Sequence, residues 1–202
     1  MKLYYVTSNA NKVHTLQRSF SSGEISIAQV SLQLPESRSF EVKEIAIEKI
    51  IFAYHQLRRP VIAMDAGFYI PILKGFPRTY VHFALETIGI AGILKLVAGL
   101  ERGCEFQECL AYLGPNDPEP KLFFGRFKGR LAAQPTGTMA EHLWSELSLI
   151  FIPENETKTL AEMDLAEYEK WYETAAQNNA ADRQFVAWFR KNKPKKLTID
   201  NC

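Results

Sequence analysis

At 202 residues and 23.0 kDa, with 47% apolar and 12% aromatic residues, the chain has enough apolar material for one folded domain, which excludes a disordered polypeptide. Lys and Arg number 24 against 23 Asp and Glu, so no global field draws nucleic acid or an anionic membrane, and any anion site must be local. Cys104, Cys109 and Cys202 are an odd count without CxxC pairs, and no stretch approaches the ~20 apolar residues of a membrane span. Met1 to Val6 is too short an apolar run for a signal peptide, so the expectation is a cytoplasmic protein with reduced thiols, no membrane contact and no specific nucleic-acid partner.

Leu3 to Val6 predicts a first strand, followed by the polar turn Thr7-Ser8-Asn9-Ala10-Asn11-Lys12 and a helix over Val13 to Phe20. Strand, polar loop, helix is an anion-binding layout. Ser8 or Asn9 can cap the helix, while the free amides of its first turn and the Lys12 ammonium would converge on a phosphate. The same residues also make an ordinary capped helix with a solvated lysine, and His14 reads as a surface histidine. Ile25 to Val30 predicts a second strand running into Pro35-Glu36-Ser37, which leaves Glu36 just past an apolar segment. From Phe40 to Leu57, Val42, Ile45, Ala46, Ile50 and Ala53 recur at helical spacing. Lys49 shares that inward face, where a lysine either snorkels outward or points its charge into a cleft.

Val61 to Met64 is short and apolar, as a buried strand requires, and Asp65 ends it. Ala66 and Gly67 allow a sharp turn there, which would leave the carboxylate at the C-terminal edge of a sheet, where α/β folds place their ligands. Asp-x-Gly after a strand is also plain turn chemistry. Tyr69 to Tyr80 then predicts a loop, and Val81 to Ile88 and Ile90 to Leu100 predict helices broken at Gly89.

Cys104 to Leu113 predicts a strand, with Lys121 to Phe127 as its hairpin partner. Arg126, Lys128 and Arg130 gather at that partner's end, facing either phosphate or solvent at a hairpin tip. Leu147 to Ile152 predicts a strand stopped by Pro153, and Thr159 with Glu162 has capping-box spacing. Helix follows through Gln177 and again from Asp182 to Arg190, with Trp171, Tyr172, Phe185, Trp188 and Phe189 read as core. Residues 191–202 form a basic tail. Strands interleaved with helices predict an α/β fold with a mixed sheet.

The ordered set Thr7-Ser8-Asn9-Ala10-Asn11-Lys12, Leu34-Pro35-Glu36, Glu44 to Lys49, Pro60 to Phe68 and Gly75-Phe76-Pro77 resembles the Ham1, or inosine triphosphate pyrophosphatase, family. The likeness continues through Phe124-Gly125-Arg126, Gly129-Arg130, Phe151-Ile152-Pro153 and Thr159 to Met163, and so spans nearly the whole chain. It implies one domain over residues 1–202, an elongated two-lobed α/β mixed-sheet fold with a cleft, and a homodimer. It also implies a magnesium-dependent reaction that cuts a nucleoside triphosphate into monophosphate and pyrophosphate. On that likeness Glu36 and Asp65 would hold Mg²⁺, and Asp65 would also activate the attacking water. Lys12 and Lys49 would neutralise the triphosphate, Thr7 and Asn9 would bond its oxygens, and Arg183 would meet the nucleotide.

The departures from the family pattern are local. One acid of its acidic pair is Met64 here, and its glutamate beyond the loop lysine is Thr15. Its base-recognition segment, Phe-Gly-Trp/Tyr-Asp-Pro, lines up with Ser145-Glu146-Leu147-Ser148-Leu149. Its Ser-His-Arg is Ala181-Asp182-Arg183, and the lysine four residues earlier is Gln177. An acceptor at 182 in place of a donor disfavours 6-keto purines, and Asp182 or Glu146 could accept an exocyclic amine. Trp144 is either core or a substitute stacking platform. The expectation is a pyrophosphohydrolase with changed base preference, against the alternative of a non-catalytic nucleotide-binding or protein-interaction homologue.

Overall fold

A computed structural model describes residues 2–20, 25–33 and 39–192. Glu36, Cys202 and the tail from residue 193 onward lie outside the described residues. The architecture is a seven-stranded mixed sheet with helices on both faces. Strands β1 (Lys2–Val6), β2 (Ser26–Val30) and β3 (Val61–Tyr69) are parallel, with β1 in the middle. The partnership of β1 with β3 stops at Val6↔Ala63, but β3 runs on, antiparallel to β5 (Gly103–Leu113) along its whole length. Its far end also pairs with the two-residue β4 (Pro77–Arg78). β6 (Lys121–Leu131) and β7 (Phe151–Pro153) complete the order β2-β1-β3-β5-β6-β7.

The sharp turn expected at Asp65-Ala66-Gly67 does not occur. Each of these residues is matched to one on β5, Asp65↔Cys109 to Gly67↔Gln107, so the ladder keeps the backbone extended. Gly67 has a different use. A Cβ there would lie 2.8 Å from the Arg78 carbonyl oxygen, so its absence lets β4 close in. Asp65 nonetheless stands at an edge, because β1 ends beside Ala63 and leaves the next residues of β3 uncovered on that side.

Alternation along the strands sorts the two faces. Ile62, Met64, Leu110 and Tyr112 join Leu3 and Tyr5 in a cluster with Leu16 of α1 (Ala10–Ser19) and Phe185 and Phe189 of α6 (Ala181–Asn192). Val61, Ala63, Cys109 and Ala111 pack on the other face with Val42, Ala46 and Ile50 of α2 (Val42–Leu57). A third cluster joins Phe68 and Phe151 to Ile93 of α4 (Gly89–Leu96) and Ala176 of α5 (Leu165–Asn179), with Val81 and Leu85 of α3 (Val81–Thr87) against it.

Three further expectations are corrected. The strand predicted from Leu147 to Ile152 is a 3-10 turn, Glu146–Leu149, followed by the short β7. The Ser145 side chain accepts the Leu147 N–H at 3.2 Å and so favours the turn. Thr159 and Glu162 do form a capping box, but it closes only one 3-10 turn, and α5 starts at Leu165 with a second box between Asp164 and Glu167. Arg126 and Lys128 lie within β6 rather than at a hairpin tip, and Arg126 makes a two-pronged bond to Glu105 at 2.6 Å on each prong.

Candidate active site

Where β1 stops, the chain turns through Thr7 into α1. The Thr7 N–H donates to the Val30 carbonyl at 3.1 Å, and the Thr7 hydroxyl accepts the Asn9 N–H at 3.1 Å. Asn9 caps α1 by accepting the Asn11 N–H at 2.9 Å, which fixes its oxygen and leaves its amide protons as donors. Lys12, in the first turn, is half-buried, and its ammonium lies 6.0 Å from the centre of the Trp144 ring. Burial lowers its pKa, Asp65 and Glu108 pull it up, and Lys49 pushes it down.

Lys49 does not snorkel. From the inward face of α2 it forms an ion pair with Asp65, whose side chain is 14% exposed against 26% for the lysine. The pair stands on the α2 face of the sheet, at the edge β1 leaves open. Thr7, Asn9, Lys12, Lys49 and Asp65 are thus drawn from three elements to one sheet edge, with Lys49 paired to the Asp65 carboxylate and Lys12 within its electrostatic reach.

A cleft of about 230 Å³ opens beside them, with Asn9 and Lys12 at one end. Tyr168, Trp171 and Tyr172 line it from one face of α5, spaced as neighbours on a helix. Trp144, Ser145 and Ser148 border it from the loop before β7, and Ala66, Gly67 and Glu108 from the sheet. The Tyr168 and Tyr172 rings lie near-parallel with centres 6.3 Å apart, and Phe127 stacks on Tyr172 at 5.9 Å. Trp171 and Tyr172, expected in the core, therefore face the cleft as well, whereas Phe185 and Phe189 are fully buried.

Residues 3–179 match the sequence profile of the Ham1 family. The chain belongs to the Ham1 family. It is 34% identical over 193 residues to a dITP/XTP pyrophosphatase of Methanopyrus kandleri, covering 95% of this chain and 98% of that one. It is 31% identical over 193 residues to a dITP/XTP pyrophosphatase of Thermococcus kodakarensis, covering 95% and 99%. A Ham1 protein from Coxiella burnetii has the same fold, with a TM-score of 0.77 at 20% identity over 95% of this chain and all of that one.

Three positions at which this Ham1 chain departs from the family pattern, Thr15, Met64 and Asp182, border one small cavity with Lys12 and Glu108. Met64 is 8% exposed within the α1–α6 cluster, in contact with apolar neighbours that would oppose a charge there. Asp182, at the start of α6, is 6% exposed and sits behind the cleft wall rather than on it. It accepts the Ser19 hydroxyl at 3.0 Å and the Tyr172 hydroxyl at 3.3 Å. Burial pushes its carboxyl above the usual aspartate range, against those bonds and the nearby Arg183. Arg183 borders a separate depression with Thr15, Arg18, Tyr168, Glu169 and Glu173, and its buried Nε has no hydrogen-bond partner. Glu146 points to solvent.

The sequence reading passed over Glu108. It is 4% exposed, on the cleft wall and within the electrostatic reach of Lys12. Its signal was present: on β5 it occupies the same alternating row as Leu110 and Tyr112, where an acid interrupts an inward-facing apolar series.

Proposed function

We propose that this chain is a nucleoside triphosphate pyrophosphohydrolase that releases the monophosphate and pyrophosphate. The observation that carries the reading is the convergence of Lys12, Lys49 and Asp65 beside an aromatic cleft. The names of the relatives, dITP/XTP pyrophosphatases, support it. The flat rings of Trp144, Tyr168 and Tyr172 suit a nucleobase, and the ammonium groups with the Asn9 amide suit its polyphosphate. Water attacks the α-phosphorus, the bond from that phosphorus to the bridging oxygen breaks, and pyrophosphate leaves with the electron pair. Asp65 accepts the proton of the water, while Lys12 and Lys49 offset the charge that builds on the phosphate oxygens. Thr7 donates its hydroxyl proton to an oxygen of the same group, while one of its lone pairs accepts the Asn9 N–H and fixes the hydroxyl's position.

Among the described residues no three His, Cys, Asp or Glu side chains stand together as a metal cage. Mg²⁺ needs less, because it keeps several waters and takes one or two carboxylates with phosphate oxygens. Asp65 supplies such a carboxylate, and we assign Glu36 as the second. The support for Glu36 is its match to the family's Leu-Pro-Glu motif. When bound, the ion would polarise the phosphate oxygens and screen their charge against Asp65.

The proposal extends to a base preference changed from that of the relatives, since positions 145–149 lack the aromatics and the acid of the family's base-recognition segment and position 182 carries an acceptor in place of a donor, with Asp182 and Arg183 acting behind the wall. It extends also to a cytoplasmic homodimer of two-lobed subunits. Phe76, Phe83, Ile88, Leu96 and Leu100 are exposed apolar side chains on the segment from just before β4 to just past α4, and their burial between two copies would suit the dimer. Incubating the chain with Mg²⁺ and a panel of nucleoside triphosphates tests the reading. Release of pyrophosphate from at least one, slowed roughly a hundredfold or more in Asp65→Asn, is expected. No release from any, with the variant indistinguishable from the parent, overturns it.

A further inference from the structure

Glu108 is the one carboxylate on the cleft wall among the described residues, and it makes no ion pair there. It stands on β5 opposite Ala66 on one side and Gly125 on the other. Gly125 makes room for it: a Cβ at that position would lie 2.6 Å from Glu108 Oε2 and 2.8 Å from the Ala181 amide nitrogen. The carboxyl is therefore tucked against β6 at the start of α6, where the Ala181 N–H donates to it. A carboxyl held through one oxygen leaves the other free for a ligand. Lys12 feels its charge from the cationic end of the cleft, and Tyr168 and Tyr172 feel it from the aromatic end.

We propose that Glu108 determines specificity by reading the polar edge of the base, its free oxygen meeting a ring carbonyl or an N–H according to whether the carboxyl holds its proton. This rests on the nucleotide reading above. As an acid, that oxygen is a hydroxyl and donates to an acceptor such as the 6-carbonyl of hypoxanthine. As a carboxylate it only accepts, and takes an exocyclic amine such as that of adenine. No covalent step is involved, only a change of hydrogen-bond polarity at one atom.

The surroundings poise the group between these forms. Burial first, then repulsion from Asp182 on α6, push its pKa up to about 7, while Lys12 on α1 and the Ala181 amide pull it down. Tyr5 on β1 and Tyr168 and Tyr172 on α5 are held neutral, each well above the usual tyrosine range. Arg183 offsets part of the charge of Asp182, Asp65 acts on Lys12, and β6 presents Phe123, Gly125 and Phe127 on this face, none of them charged. A polyphosphate seated on Lys12 would offset its pull and favour the acid form further.

The test is the ratio of kcat/KM for inosine triphosphate to that for adenosine triphosphate, measured at pH 6 and pH 8 on the parent and on Glu108→Gln. The parent ratio is expected to fall roughly tenfold as pH rises, the worth of one buried hydrogen bond changing sign. The variant, whose amide does not titrate, is expected to give a flat ratio. The parent profile stands by itself if the variant does not fold. A flat parent ratio overturns the inference, as does an effect that separates ribose from deoxyribose substrates rather than one base from another. Calorimetric Kd values for inosine and adenosine monophosphates at the same two pH values separate the two proposals. A pH-dependent binding ratio without hydrolysis keeps the role of Glu108 and removes the hydrolase, hydrolysis with a flat ratio does the reverse, and no binding of either nucleotide removes both.

Discussion

Beside the cleft, polar and charged groups come from three elements and are tied down one by one: Asn9 by its cap, Lys49 and Asp65 by each other, Lys12 by its place in the first turn of α1. At the aromatic end, Tyr168, Trp171 and Tyr172 come from one face of one helix and Trp144 from a loop, and stacking alone arranges them. The difference teaches why, on the reading proposed above, the aromatic end of this Ham1 chain can depart further from the family pattern than the charged end, where the replaced acids are those at Thr15 and Met64. A stacked wall needs flat surfaces at roughly the right place, whereas a charge cluster loses its use when one member is removed.

Asp65→Asn breaks the comparison most severely, because it removes both the proton acceptor and the partner of Lys49. In the reaction proposed above, kcat for pyrophosphate release falls roughly a hundred- to thousandfold, as when a single electrostatic group of an active site is lost. The aromatic end is untouched, so nucleotide binding measured by calorimetry weakens far less than turnover. Equal loss of both would mean that the two ends are not separable.

Glu108→Gln comes next, through stability. The carboxyl has its pKa raised from 4.5 to about 7 in the folded chain, so the folded state holds its proton more tightly than the unfolded one. Native stability from this group is therefore present at low pH and is lost as pH rises between those two values, by up to about 3 kcal/mol. Asp182, also pushed upward by burial, acts in the same direction. The glutamine variant is expected to melt close to the parent at pH 5 and above it at pH 8, as followed by circular dichroism. A parent melting temperature that does not fall over this range relative to the variant would contradict the buried, unpaired setting of Glu108.

Trp144→Ala sharpens the comparison from the other side. Removing one stacking face costs roughly 1–3 kcal/mol per base, so KM rises on the order of tenfold while kcat changes little. The Lys12 ammonium lies over the same ring, so a small loss at the phosphate end is expected as well. A variant with unchanged KM would assign Trp144 to the core alone.

Much of this was legible in the sequence, and the failures have physical causes. Helical spacing located α2, and the polar turn before Lys12 located the cap, because both signals are local. Asp65 was found for a partly mistaken reason. Its Asp-x-Gly pattern suggested a turn, but pairing with β5 overrode the local preference, and what exposes the carboxylate is the early end of β1. Glu108 was missed because its meaning lies in three other chain segments, Lys12, Gly125 and the start of α6, which only the fold brings to it.

Arg126→Ala sets the small end of the scale, away from the cleft. Burial pushes the Glu105 carboxyl up, but hydrogen bonds from Arg126 and Gln107 outweigh it and hold the group below the usual glutamate range. A carboxyl with a depressed folded pKa adds stability above its unfolded value, and that stability is lost as pH falls through the folded one. Because Arg126 is 58% exposed, solvent screens the pair and its removal costs no more than about 1 kcal/mol. The variant should therefore melt slightly below the parent at pH 7, converge with it in acid, and leave turnover and base ranking unchanged. A change in turnover would mean that the ladder between β5 and β6 carries strain from Glu105 along to Glu108, three residues further on the same strand, and the two ends of the sheet would then not be independent of the site between them.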